Sequence, residues 1–396
     1  MKLKSILVTA LLAGALALQS AIPAATASER QNSWDGVERI VAIGDVHGDY
    51  NQFHALLTAA GLIGKRDKWT GGETHLVQVG DIPDRGPDTR KAMDLLMKLE
   101  KQAKRAGGAV HALVGNHEAM NMTGDLRYVH PGEYAAFAER SSQKRLDTYY
   151  GHVVDWLKKN TPKAERPDFE GDFRNQWYAE HPLGFVEHRF AWAPDGKYGR
   201  WVAENNTAIR INDTLFVHGG LSPKYANWSL DEINAKVRKE LKDAESQPAD
   251  ALINADDGPL WYRGLAYADT AEPEARTQID LTLTAQSVKR IVIGHTPLTG
   301  AVLPRFDAKV IAIDVGLSAH YGSGLACLVI EGDEIYTLHH GEQVRLPQDD
   351  KDVEYYLQQL ALLDPNPSRL KAYLEKLRDA PAPEEAGDDA EDKTLR

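Results

Sequence analysis

A chain of 396 residues, 42% hydrophobic and 26% charged, has enough apolar material for one large domain or two modest ones. Its formal net charge of -12 argues against a general binder of nucleic acid or anionic membrane, which needs a basic face. The single cysteine, Cys327, excludes an internal disulfide, and its apolar run at 325–330 predicts a buried structural thiol.

The N-terminus reads as a secretory signal. Lys2 and Lys4 precede an apolar run at 6–18, and a more polar stretch ends in Ala25-Thr26-Ala27. Cleavage is expected after Ala27, with a periplasmic or secreted product; the apolar run is short for a bilayer span, so no stable membrane insertion is expected after cleavage. Three β-branched or apolar runs follow, at 39–43, 74–79 and 109–114, separated by helical spacing at 51–60 and 89–104. Each run stops at a glycine beside a polar residue: Gly44-Asp45-Val46-His47-Gly48, Gly80-Asp81-Ile82-Pro83-Asp84-Arg85-Gly86 and Gly115-Asn116-His117-Glu118. This is a βαβαβ order with candidate ligands at the strands' carboxyl ends, the edge where open α/β sheets place their sites.

An aromatic-rich insertion occupies 121–205; helical spacing is expected at 137–159 and irregular chain elsewhere, packed on the core or lying as a lid over the site. Later strands are expected at 214–217, 290–293, 310–313, 325–330 and 334–338, some of them antiparallel because no helix intervenes. The first ends in His218-Gly219-Gly220 and the second in Gly294-His295-Thr296. The stretch 221–250 is polar and mostly helical. Two short helices are expected within 349–378, and the acidic, proline-rich 379–396 is expected to be disordered. The domain proper is taken as 36–345.

Asp45, His47, Asp81, Asn116, His218 and His295 together offer enough oxygen and nitrogen donors for two divalent cations. Two such cations polarise phosphoryl oxygens and lower the pKa of a shared water, with Asp81 the best bridging carboxylate. Neutral imidazoles and an amide complete the sites without adding excess negative charge, which matters when an anionic phosphate must enter.

These residues resemble the calcineurin-like metallophosphoesterases, and within them the PPP-type protein phosphatases; the first three segments match that family's GDxHG, GDxxDRG and GNHE motifs letter for letter. The segments Trp261-Tyr262-Arg263-Gly264 and Leu317-Ser318-Ala319-His320-Tyr321-Gly322 look most like the bacterial Shewanella-like branch. The resemblance implies a layered α/β sandwich, with two mixed β-sheets flanked by helices. It implies a first metal on Asp45 and His47, Asp81 bridging, and a second metal on Asn116, His218 and His295. His117 would be the general acid, oriented by Asp84. Arg85 would bind phosphate, with Asn116 beside it and Arg263 standing in for a second family arginine whose usual segment is missing here. Manganese is the expected metal, with zinc or iron as alternatives. The expected activity is phosphomonoester hydrolysis by a metal-bridged hydroxide on a phosphoprotein. Hydrolysis of dinucleoside polyphosphates or nucleotides is the alternative, and non-catalytic phosphate binding a more remote one. Cys327 lies outside any Cys-x5-Arg pattern, so no covalent nucleophile is expected, nor is nucleic acid as a partner.

Overall fold

The computed structural model describes residues 30–244, 248 and 250–379. The expected signal at 1–27 and all but the first residue of the expected acidic tail lie outside the described residues. The first half runs β1 (Ser33–Trp34), β2 (Arg39–Ile43), α1 (Tyr50–Ala59), the small hairpin β3 (Ile63–Gly64) and β4 (Lys68–Trp69), β5 (His75–Gln78), α2 (Thr89–Arg105), β6 (Ala109–Ala112) and α3 (Asn116–Thr123). The insertion holds α4 (Pro131–Phe137), α5 (Ser142–Asn160), α6 (Asp172–Glu180), α7 (Phe185–Trp192) and α8 (Lys197–Val202). Then come β7 (Ala208–Ile211), β8 (Thr214–Val217), α9 (Leu230–Lys242), α10 (Gly264–Tyr267), α11 (Pro273–Gln286), β9 (Arg290–Ile293), β10 (Leu303–Arg305) and β11 (Val310–Ala312). The described chain closes with β12 (Ala326–Glu331), β13 (Glu334–His339), β14 (Glu342–Arg345), α12 (Val353–Leu363) and α13 (Arg369–Asp379).

Among the described residues the strands form two six-stranded mixed sheets, ordered β1-β7-β8-β9-β11-β10 and β14-β13-β12-β2-β5-β6. In the second sheet β2, β5 and β6 run parallel, with Val41 opposite Leu76 and Leu76 opposite Val110. The hairpin β12-β13 joins antiparallel, Val329 opposite Val41. In the first sheet β8, β9 and β11 are parallel, β7 and β10 flank them antiparallel, and β1 forms the edge parallel to β7. The inner strands are nearly continuous apolar runs because both faces are covered: Val41, Ile43, Leu76, Val77, Ile291 and Val292 are all buried, in one cluster that draws on both sheets. Helix α2 packs on that core by spacing, with Ala92, Leu96, Leu99 and Ala103 buried along one face.

The two sheets meet at the ends of β2 and β11. A Cβ on Gly44 would lie 2.3 Å from the Ile313 carbonyl, so only glycine lets the two strand ends come this close. The insertion departs from expectation: instead of one helix with irregular flanks it holds five helices, the 19-residue α5 covering most of the expected span and four shorter ones around it. Its own aromatic cluster includes Tyr134, Tyr150, Trp177 and Phe185.

Candidate metal centre

The backbone enters the left-handed region at three of the six candidate ligands and in the turn after Pro83. His47, Asp81 and His295 have φ of 45°, 57° and 67°, and Asp84 and Arg85 have 74° and 68°. A side chain in this left-handed region costs roughly 1–3 kcal/mol, so the surroundings must hold each one. Glu118, one turn into α3, does much of this. Its Oε2 accepts from the Asp81 and Gly115 amides at 2.9 and 2.8 Å, and its Oε1 from the Ile82 amide at 2.8 Å. One buried carboxyl thus ties the second motif to the third; burial and the Asp81 charge push its pKa up to about 7.

All six candidate ligands converge and are buried. His218 Nε2 lies 3.0 Å from Asn116 Oδ1, 3.1 Å from His295 Nδ1 and 3.3 Å from Asp81 Oδ2. His47 Nε2 lies 3.7 Å from Asp45 Oδ2 and 3.8 Å from the same Asp81 oxygen. Asp81 therefore sits in both clusters. Backbone carbonyls set the tautomers. His47 Nδ1 donates to Pro83 O at 3.1 Å, His218 Nδ1 to Val79 O at 2.9 Å, and His295 Nε2 to Trp261 O at 3.2 Å. The opposite nitrogen of each ring then faces the cluster as a bare lone pair. With the rings neutral, as metal ligation requires, Asp81 Oδ2, Asn116 Oδ1, His218 Nε2 and His295 Nδ1 face one another as acceptors. A cation removes that repulsion, so the donor set fits divalent metal.

Without a cation the titration shifts divide among these groups. Burial, then the Asp314 and Asp81 charges, raise Asp45 well above the carboxylate range. Burial opposes ionisation of Asp81, but His218 and His117 hold it well below that range. Burial pushes His47 down to about 3 and His295 to about 2, so both rings are neutral and able to ligate.

His117 is different. Its Nδ1 contacts Asp84 Oδ2 at 2.5 Å and its Nε2 stands 3.8 Å from Asp81 Oδ2. Burial works against its charge, yet Asp81 and Asp84 raise its pKa above the ordinary value. Asn121 fixes the pair, donating to Asp84 Oδ1 at 2.9 Å and to the His117 carbonyl at 3.0 Å. The Arg85 guanidinium lies 3.7 Å above the Tyr128 ring, and its buried Nε has no hydrogen-bond partner among the described residues, as suits a donor awaiting an anion. Arg263 is tied to the neighbouring loop: its Nη1 donates to the His295 carbonyl and to Thr296 Oγ1, both at 2.8 Å. It braces the His295 turn, a role the reading of Arg263 as a phosphate ligand did not include.

Sequence reasoning missed four contributors. Asp314 is buried behind Asp45 and pushed up to about 6 by burial. It follows the apolar run of β11 as Asp45 follows that of β2, so the strand end marks it, though no glycine stands beside it. Glu118 stood inside a motif without a role. Asn121 and Tyr128 carry no signal of their own, since one acts through α3 and the other from the insertion. Tyr321, in the segment that resembles the Shewanella-like branch, has its ring 5.2 Å from that of His47.

The family model for calcineurin-like phosphoesterases matches residues 38–299. The chain is 33% identical over 300 residues to Shewanella-like protein phosphatase 2 of Arabidopsis thaliana, covering 74% of this chain and 75% of that protein. It is 32% identical over 317 residues to an uncharacterized protein of Schizosaccharomyces pombe, covering 78% and 82%. Among solved structures, the cold-active protein-tyrosine phosphatase of a psychrophilic Shewanella species superposes with a TM-score of 0.60 at 30% identity, covering 80% of this chain and 82% of that one.

Proposed function

Since the chain belongs to the calcineurin-like phosphoesterase family and is a phosphatase, we propose that it is an exported, two-metal phosphoprotein phosphatase with a preference for phosphotyrosine. The observation that carries the hydrolytic reading is the acceptor-only cluster beside Arg85 and the His117–Asp84 pair. Asp45 and His47 would hold one cation, Asn116, His218 and His295 the other, and Asp81 both. Bound there, two divalent cations would supply Lewis acidity to the phosphoryl oxygens and an activated water; manganese suits the mixed nitrogen and oxygen donors. Arg85 presents a planar fork to two phosphate oxygens at once. His117, kept protonated by its carboxylate neighbours and oriented by Asp84, gives its Nε2 proton to the departing oxygen.

Two rings support an aryl leaving group. Tyr128 stacks under Arg85 with its centroid 5.3 Å from His117, and Tyr321 lies beside His47. Aromatic rings beside a phosphate site offer offset or edge contacts to a phenyl ring. The solved Shewanella relative is named a protein-tyrosine phosphatase, which supports this reading. The test is phosphate release from matched phosphotyrosyl and phosphoseryl peptides. A higher kcat/KM on the tyrosyl peptide, abolished by chelator and restored by manganese, is expected; equal rates on both would remove the aryl preference.

A further inference from the structure

The insertion reaches the chemistry through one turn, Asp84–Arg85. Two consecutive residues there, neither of them glycine, hold φ of 74° and 68°, and their side chains are the partner of His117 and the proposed phosphate ligand. Aspartate visits this region more readily than most residues, but Arg85 has no such preference and two in succession need outside support. Both amides are held from the insertion: the Asp84 N–H donates to Glu133 Oε1 at 2.8 Å, and the Arg85 N–H to the Tyr128 carbonyl at 3.0 Å. Glu133 lies in the first turn of α4 and is 1% exposed.

The turn is enclosed on both sides. A Cβ on Gly132 would lie 2.5 Å from Pro87 Cβ, and one on Gly86 would lie 2.5 Å from the His47 carbonyl. It is therefore pressed between α4 and the loop that carries His47. Glu133 is not there as half of a salt bridge. The ring facing its Oε2 is His188, at 3.9 Å, and burial pushes that imidazole down to about 3, so it is neutral. Burying a carboxyl beside Asp84 is unfavourable by itself, and what it provides is an acceptor for the Asp84 amide.

We infer that Glu133 is a positioning residue for the reaction: with the Tyr128 carbonyl it clamps the Asp84–Arg85 turn, so that the insertion fixes the acid and phosphate-binding groups in place. This makes the insertion a brace for the catalytic turn. It rests on the roles proposed above for His117, Asp84 and Arg85.

The experiment compares Glu133→Met, close in shape but with no acceptor, and Glu133→Gln, which keeps a carbonyl oxygen at the same place. Both are assayed on p-nitrophenyl phosphate and on an alkyl phosphate, with inorganic phosphate as inhibitor and bound metal measured. Misplacing a catalytic group by about 1 Å costs about 100-fold, so a loss of that order is expected for Glu133→Met on the alkyl phosphate and less on the nitrophenyl ester, with weaker phosphate inhibition and unchanged metal content. Glu133→Gln should restore most of the loss, which filling the space alone would not achieve. Parent behaviour in Glu133→Met, or equal damage in both variants, overturns the clamp. Should Glu133→Met not fold, Glu133→Gln decides alone: near-parent kinetics are required, and a loss on the scale of a His117 variant refutes the inference. His117→Asn in the same panel separates the two readings. An even loss across leaving groups there removes the acid reading, and the phosphate inhibition of Glu133→Met or, failing that variant, of Glu133→Gln still decides the clamp.

Discussion

At the scale of single residues, His117 and Asp81 share a neighbourhood and part in their chemistry. Asp81 Oδ2 is met by three imidazoles, at 3.3 Å from His218 and 3.8 Å from both His47 and His117, yet only His117 carries a carboxylate on its other nitrogen. His47 and His218 turn theirs to backbone carbonyls. That difference separates a proton donor from a ligand. The leaving group then reads out the acid. An alkoxide needs its proton in the transition state, whereas p-nitrophenolate scarcely does. His117→Asn should lower turnover on an alkyl phosphate by about two to four orders of magnitude and on p-nitrophenyl phosphate far less. Asp84→Asn should follow the same order more weakly, since it orients the ring. Equal losses on every leaving group, with metal retained, would place His117 in phosphate binding instead. These residues were legible because a strand followed by glycine and one polar side chain is a local signal. Asp314 also follows an apolar run, but no glycine stands beside it and no motif surrounds it. Asn121, Tyr128 and Glu133 were not legible, since what they touch is set by how α3 and α4 pack.

At the scale of elements, the sequence showed what periodicity can show. The strands β2, β5, β6, β8 and β9 and helix α2 all lie where alternation, apolar runs or helical spacing placed them. The short edge pieces did not announce themselves: β10 contains Pro304, which an edge strand tolerates and which reads as a breaker. Helix α7 was hidden for another reason. Phe185, Val186, Glu187, His188, Arg189 and Trp192 are all buried, so it has almost no polar face to mark a period. The C-terminal pair α12 and α13 was expected, and the structure adds how it is fastened. Asp364, just after α12, accepts from His339 Nε2 at 2.6 Å and lies 3.1 Å from His340 Nε2, while Arg369 donates to the carbonyls of Pro297 and Tyr321. Burial opposes ionisation of Asp364, but the two histidines hold its pKa below the ordinary 3.8. The sign follows from linkage. A depressed carboxylate stabilises the fold fully above its unfolded pKa, and that contribution is lost as pH falls through the folded value. Asp364→Asn should therefore cost about 1.5–3 kcal/mol in urea unfolding at neutral pH, the range for a hydrogen bond to a charged group. The gap between variant and parent should narrow below about pH 4. A gap that stays constant down to pH 3 would mean that the charge of Asp364 contributes nothing.

At the scale of the whole molecule, an acidic chain with a net charge of -12 is read as acting on an anionic phosphoester. The resolution lies in the centre itself: the ligand set joins buried carboxylates to neutral imidazoles, and bound cations would reverse the local sign. Among the described residues no helix is long and apolar enough to cross a membrane. If the chain is exported, N-terminal sequencing of protein recovered from the producing cell should begin at or near Ser28; an intact Met1 on the active product would exclude cleavage. The central claim is that six residues from five strand ends build one two-cation centre around Asp81. The most direct measurement is the number of divalent cations bound per chain, by elemental analysis of active parent protein and of Asp81→Asn. The parent should hold about two equivalents and the variant close to none, with phosphatase activity lost in step. Full activity with one cation or none, or an Asp81→Asn protein that keeps both cations and near-parent turnover, would contradict it.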